Sequence, residues 1–134
     1  NTYIIALDGE ILAGMMAVRG ERPFSLDEKI TDLDNYLPEG RSVCEIRLLS
    51  VRKEFRGGPA FFLLMKRMSE YCIEQGYDYA VISGTTRQQK LYRHLGFRPF
   101  YPQVGKPDAY YIPMGASLED FRERLGSLPC KEKG

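Results

Sequence analysis

The stretch VRKEFRGGPAF, residues 51–61, does most to limit what this chain of 134 residues can fold into. It leads from the end of an apolar strand, through a basic glycine turn, into an apolar helix. Such a strand–turn–helix unit can present backbone N–H groups and the positive end of a helix to a phosphate. A second stretch, QQKLYRHLGF at residues 88–97, reads as a short helix that carries Tyr92 close to a Gly-Phe pair at the start of a strand.

The rest of the chain supplies a sheet for this unit. Residues 3–7 and 11–18 are apolar runs joined by Asp8-Gly9-Glu10, a hairpin signal. Ser25-Leu26-Asp27-Glu28 reads as a capping box opening a helix, with Ile30, Leu33 and Leu37 as its apolar stripe and Pro38-Glu39-Gly40 as its end. Residues 43–51 form a strand in which Val43, Glu45, Arg47, Leu49 and Val51 share a face by simple alternation. Residues 60–75 are the longest helix, stopped by Gly76, and 77–83 a buried strand. Thr85 or Thr86 caps the next helix, which ends at Leu95-Gly96. Strands at 97–100 and 109–114 follow, and a second capping box at Ser117 opens a helix to about Leu125.

The element order is β-β-α-β-α-β-α-β-β-α. It predicts an α/β fold with a mixed, mostly antiparallel twisted sheet and flanking helices. Residues 1–125 read as one domain and 126–134 as a tail or linker.

Composition excludes several classes. Nineteen basic residues against 18 acidic ones give a net charge of +1, so bulk charge points to neither nucleic acid nor membrane. No apolar run approaches the ~20 residues of a membrane span. Cys44, Cys72 and Cys130 are odd in number and widely spaced, which argues against a disulfide framework and against a zinc site. A reduced, cytoplasmic protein without a metal is the plain expectation, with Cys44 and Cys72 acting as small buried hydrophobes.

The two opening stretches together resemble the signature segments of the GNAT superfamily of N-acetyltransferases, which use acyl-CoA. There, Arg/Gln-x-x-Gly-x-Gly/Ala wraps the CoA pyrophosphate, and a tyrosine stands four residues before a Gly-Phe. Aligned on Arg56, the two small positions fall on Pro59, which has no N–H, and on Phe61. Acyl-homoserine-lactone synthases and N-acyl-amino-acid synthases share the fold and relax this same motif. The stretch 81–100 also looks like acyltransferase modules fused to pyridoxal-phosphate aminotransferases. The likeness runs from the family's second strand onward, so the fold's first strand and opening helices have no counterpart here.

The resemblance implies a set of roles. Arg56, Gly57, Gly58 and Ala60 would hold the phosphates of acetyl-CoA or a longer acyl-CoA. Backbone near Leu49 and Val51 would polarise the thioester carbonyl. Tyr92 would protonate the departing thiolate, a suitable task for a phenol of pKa ~10 facing a thiol of pKa ~8.5.

Glu45 and Arg47 are two charges on an otherwise apolar strand, where unpaired charges sit badly. They either pair structurally, or Glu45 is a general base and Arg47 steers the carboxylate of an amino-acid-like amine acceptor. Autoinducer-type synthases carry a similar Glu and Arg on the matching strand, one residue further apart. An acyl carrier protein is the alternative donor and a homodimer an expected assembly. The apolar stripe of residues 61–72 reads as core rather than acyl tunnel, His94 as a surface residue, and Tyr101, Tyr110 and Tyr111 equally as a lining for the acceptor side or as surface aromatics of a hairpin. A non-catalytic acyl-CoA-binding domain is the competing reading, and Pro59 and Phe61 are its support.

Overall fold

A computed structural model describes residues 1–85 and 88–127. Thr86, one of the two expected helix caps, and residues 128–134, with Cys130, lie outside the described residues.

The chain opens with β1 (Thr2–Asp8) and β2 (Ile11–Arg19), joined by a Gly9-Glu10 turn in which Gly9 takes a φ of 64°. Next come β3 (Val43–Val51), α1 (Ala60–Glu74) and β4 (Tyr79–Thr85). Then follow α2 (Gln89–His94), β5 (Arg98–Pro99), β6 (Tyr111–Ser117) and α3 (Leu118–Gly126). The six strands form one sheet in the order β1-β2-β3-β4-β6-β5. Among the described residues only the β3–β4 pair is parallel, and α1 is the crossover that a parallel pair needs. The expected mixed, mostly antiparallel sheet is thus the observed one.

One sheet face carries α1 and the main core, which includes Met16, Cys44, Ile46, Leu64, Met68, Ile82, Phe97 and Phe121. The other face carries a smaller cluster of Phe24, Leu26, Ile30, Leu33 and Val81. Most of the helix 1 stripe is core, as expected: Leu64, Met65, Met68 and Cys72 are buried, whereas Leu63 is exposed. The fold brings Cys44 of β3 and Cys72 of α1 to 3.7 Å between Sγ atoms, both as buried free thiols. The neighbouring Cys72 sulfur and burial push the Cys44 thiol well above the ordinary range.

Several boundaries differ from expectation, and the strand expected at 77–83 runs instead from Tyr79 to Thr85. The helix expected from Ser25 is instead two 3-10 turns, Ser25–Glu28 and Leu33–Tyr36. Its apolar stripe buries as predicted, but Arg22 ties Asp27 and Asp34 together, and Asp27 accepts the Phe24 N–H at 2.6 Å. That tertiary tether outweighs helical propensity. Thr85 does not cap α2; it ends β4, and Gln88 stands at the helix start. The last two strands are shifted: β5 shrinks to two residues because Phe97 turns into the core, and β6 runs on to Ser117. Ser117 then caps α3 by accepting the Asp120 N–H at 3.1 Å, as its capping box predicts. Among the described residues, no helix is long and apolar enough to cross a membrane.

Candidate functional site

The parallel ladder between β3 and β4 stops early. Its partners run from Val43 and Tyr79 to Ile46 and Ile82. Past that point β3 stays with β2, pairing Arg47 with Ala17 and Val51 with Gly14. β4 stays with β6, ending on Thr85 opposite Tyr111. The two halves of the sheet therefore part, and a cavity of about 1050 Å³ lies between them. Leu49, Ser50 and Val51 line it from β3, and Thr85 and Tyr111 from the other half. Phe55, Arg56, Gly57 and Phe61 line it near α1, Gln88 and Leu91 near α2, and residues 107–110 complete it.

A bulge aims β3 at this cavity. Opposite Met16 alone, β3 places both Leu48 and Leu49, because Met15 pairs with Ser50 and Ala17 with Arg47. Leu48 takes a φ of 57° and is 58% exposed. An extra residue in one strand switches which face each later side chain occupies. Val43 packs in the smaller cluster, whereas Leu49 and Val51 pack toward the α1 side. The five-residue face expected from simple alternation therefore ends at Arg47, and Leu49 and Val51 lie on the opposite face. Leucine carries no sequence signal for a left-handed backbone, which is why pattern reading missed the bulge.

The glycine turn meets the same cavity. After the 3-10 turn Lys53–Phe55, the Arg56 Nε donates to the Val51 carbonyl at 3.1 Å, pinning the turn to the end of β3. Gly57 takes a φ of 87°, a conformation suited to glycine. Pro59 is the N-cap residue of α1 and makes no side-chain cap bond. The first N–H groups of a helix have no partner within it; the Leu63 N–H already bonds the Pro59 carbonyl at 2.9 Å and the Gly58 N–H the Phe55 carbonyl at 3.3 Å, so the helix-end donors are those of Ala60 to Phe62. Phe61 is a cavity wall rather than a small residue letting backbone approach.

Glu45 and Arg47 do lie together, on the face opposite α1. Glu45 is 1% exposed and accepts the Ser25 N–H at 2.8 Å and the Leu26 N–H at 3.1 Å. Arg47 Nε lies 3.7 Å from the same carboxylate. Burial raises the Glu45 pKa, opposed by the two backbone donors and by Arg47. Both oxygens therefore anchor the Ser25–Glu28 turn to the sheet, and neither residue lines the cavity itself.

Tyr92 is buried on α2, edge-on to Phe97 at 5.9 Å between ring centroids. Its ring lies against Gly84, where an added Cβ would come within 3.3 Å of Tyr92 Cδ2. Its hydroxyl donates to Gln88 Oε1 at 3.0 Å, and burial pushes its pKa up to about 12. The phenol thus reaches the cavity wall by way of Gln88, a lining residue.

Tyr110 and Tyr111 line the cavity as well, but Tyr101 instead packs edge-on to Tyr36 at 5.0 Å. His94 is exposed, as expected, and shares a basic concavity with Lys90, Arg93, Arg98 and Arg124. Among the described residues, no group of three or more His, Cys, Asp or Glu side chains is placed to hold a metal.

The phosphate-type turn is the part that the opening stretches implied, and the parted parallel pair and the bulge beside it are what the structure adds. Residues 1–114 match the family model described as N-acyl amino acid synthase FeeM. The chain belongs to the FeeM family. The solved structure of FeeM, an N-acyl amino acid synthase from uncultured soil microbes, is 21% identical with a TM-score of 0.73. The alignment covers 91% of this chain and 75% of that one. The acyl-homoserine-lactone synthase LasI has a TM-score of 0.74 at 14% identity, covering 92% of this chain and 68% of LasI. The CoA-dependent acyl-homoserine lactone synthase BjaI, solved with SAM and isopentyl-CoA, has a TM-score of 0.71 at 20% identity, covering 96% and 65%. These likenesses establish the shared fold. By sequence, 70 residues are 34% identical to an uncharacterized N-acetyltransferase of Dictyostelium discoideum, covering 50% of this chain. The chain spans 32% of that relative's length.

Proposed function

We propose that this chain is an N-acyltransferase that moves an acyl group from a thioester to the amine of an amino-acid-like acceptor by direct attack. The observation that carries this reading is the cavity between the parted ends of β3 and β4, walled by Leu49–Val51 and by the Arg56–Gly57 turn. A thioester carbonyl set against the bulged strand would find backbone N–H groups at Leu49 to Val51, the usual kind of donor for an oxyanion. Membership of the FeeM family supports the reaction class.

In the reaction the amine nitrogen bonds to the thioester carbon and the carbon–sulfur bond breaks. The amine sheds one proton and the thiolate takes up one, so amine and thioester give amide and thiol. Tyr92 is the acid, since a phenol is protonated at neutral pH and Gln88 on the cavity wall holds its hydroxyl. Glu45 would serve as the base through water, since its own oxygens are held by the Ser25 and Leu26 N–H groups outside the cavity lining, and Arg47 beside it would steer an acceptor carboxylate. Holding two substrates in one cavity supplies much of the rate in such a transfer.

For the donor, Arg56, Gly57, Gly58 and Ala60 would hold the phosphates of an acyl-CoA, acetyl or longer, without a donor from Pro59. Apolar walls from Phe55, Phe61 and Leu91 favour the longer chains. An acyl carrier protein is the second donor, supported by the basic concavity across α2 from the cavity. Pro59 and Phe61 also favour a second reading, a domain that binds acyl-CoA without turnover.

Calorimetry with acetyl-CoA and then a long-chain acyl-CoA, followed by thiol release over a panel of amino acids, separates these. Amine-dependent thiol release supports the transferase. Binding without release supports the binding domain. Neither binding nor release, with CoA esters and carrier-protein thioesters alike, overturns both.

A further inference from the structure

The cavity wall carries a hydrogen-bonded cluster of Gln88, Tyr92 and Thr85. Gln88 Oε1 accepts the Tyr92 hydroxyl at 3.0 Å and faces the Thr85 hydroxyl at 3.3 Å. An amide oxygen can only accept, so both hydroxyl protons point at it. Tyr92 itself is walled in by Gly84, Phe97 and its own helix, and it is Gln88, Thr85 and Leu91 that line the cavity. The Tyr92 hydroxyl proton therefore points at the cavity wall, toward the oxygen of a residue one helical turn earlier.

We propose that Gln88 is a positioning residue for Tyr92: its side-chain oxygen holds the phenol proton at the cavity wall, where a departing thiolate can compete for it. This rests on the acyl-transfer reading above. When the carbon–sulfur bond breaks, the thiolate takes the proton from the Tyr92 oxygen. The phenolate regains a proton from solvent once the thiol leaves, and Glu45 returns to solvent the one that the amine shed. Gln88 neither gains nor loses a proton; it sets the direction of the O–H bond before transfer and accepts it again afterwards. Geometry of this kind governs proton transfer as strongly as acidity does.

Placement favours this role over a packing one. Gln88 is only partly buried, at the turn where β4 leads into α2, and its backbone N–H is already held by the Thr85 carbonyl at 3.1 Å. The turn is therefore maintained by backbone, and the side chain is free to serve the hydroxyls. Removing the side chain should leave the fold intact while releasing the phenol.

The test compares Gln88→Ala, Gln88→Asn and Gln88→Glu with the unaltered protein, each also in a Tyr92→Phe background. The Tyr92 pKa is read in the free protein from ring-labelled tyrosine resonances, with Tyr92→Phe to assign the signal. Losing the acceptor removes a bond that favours the neutral phenol, so Gln88→Ala lowers that pKa, and Gln88→Glu raises it. In turnover, Gln88→Ala lowers kcat about tenfold with KM within about twofold, and has no further effect once Tyr92 is Phe. Gln88→Asn, whose oxygen is too short to reach, behaves like Ala.

An unchanged Tyr92 pKa in all three variants overturns the proposal, whatever the activity. So does an equal kcat loss with and without the Tyr92 hydroxyl. Absence of thiol release in the unaltered protein would instead count against the acyl-transfer reading, and the pKa shift would still decide the Gln88–Tyr92 link.

Discussion

Ile46 and Ile82 are the last partners of the parallel β3–β4 ladder, and two residues beyond Ile46 the bulge at Leu48 begins. Parting and bulge act together. Without the bulge, Leu49 and Val51 would stay on the face of Glu45, and the cavity would lose that wall. Without the parting, there would be no cavity to line.

The bulge can be tested as backbone strain. Leu48 holds a φ of 57° with its side chain largely in solvent, so little packing compensates for the conformation. Leu48→Gly should be neutral or stabilising in urea unfolding. Leu48→Val, a β-branched residue in the left-handed region, should cost about 1–2 kcal/mol.

Tyr92→Phe keeps the ring against Gly84 and Phe97 and removes only the hydroxyl. If the phenol is the acid, kcat falls about ten- to a thousandfold while the melting temperature barely moves. An unchanged kcat removes Tyr92 from the mechanism.

Glu45 makes a prediction about stability and pH. Glu45→Ala leaves the Ser25 and Leu26 N–H groups without their acceptor, at about 1–3 kcal/mol for a buried donor left unpaired. The folded-state pKa of Glu45 is raised, chiefly by burial. Its contribution is therefore most favourable below the unfolded carboxylate value and is lost as pH rises through the folded value. Urea midpoints from pH 4 upward, compared between the unaltered protein and Glu45→Gln, should show that fall only in the former. The same Gln variant tests the base: a kcat loss larger than the stability change explains supports it.

The second donor reading also has its own signature. Lys90→Glu with Arg93→Glu reverses charge in the basic concavity without touching the cavity lining. Activity with an acyl carrier protein should fall about tenfold or more and lose its salt dependence, while activity with acyl-CoA holds. Equal loss with both donors would contradict carrier-protein docking at this surface.

How much of this was legible in the sequence follows from which forces are local. The hairpin turn at Gly9, the stop at Gly76 and the Ser117 cap are chosen by residues beside them, and each is where the pattern put it. The Ser25–Glu28 segment departs from its pattern because its shape is set from a distance, by Arg22 on Asp34 and by Glu45 on the Ser25 N–H. Tyr92 and the Arg56–Gly58 turn stand out by spacing. The bulge at Leu48 does not, because nothing in Arg47-Leu48-Leu49 distinguishes a bulged strand from a regular one. The burial of Glu45 was foreseeable from its apolar neighbours, but its two backbone partners lie nineteen and twenty residues earlier in the chain.

The central claim is that a thioester occupies the opening between β3 and β4. It is tested most directly by backbone amide shifts in a titration of the isotopically labelled protein with a long-chain acyl-CoA. The account predicts perturbations at Leu49, Ser50, Val51, Gly57, Thr85 and Gln88, with β1 and α3 unmoved. Saturable shifts confined to other elements, or none at millimolar ligand, would contradict it.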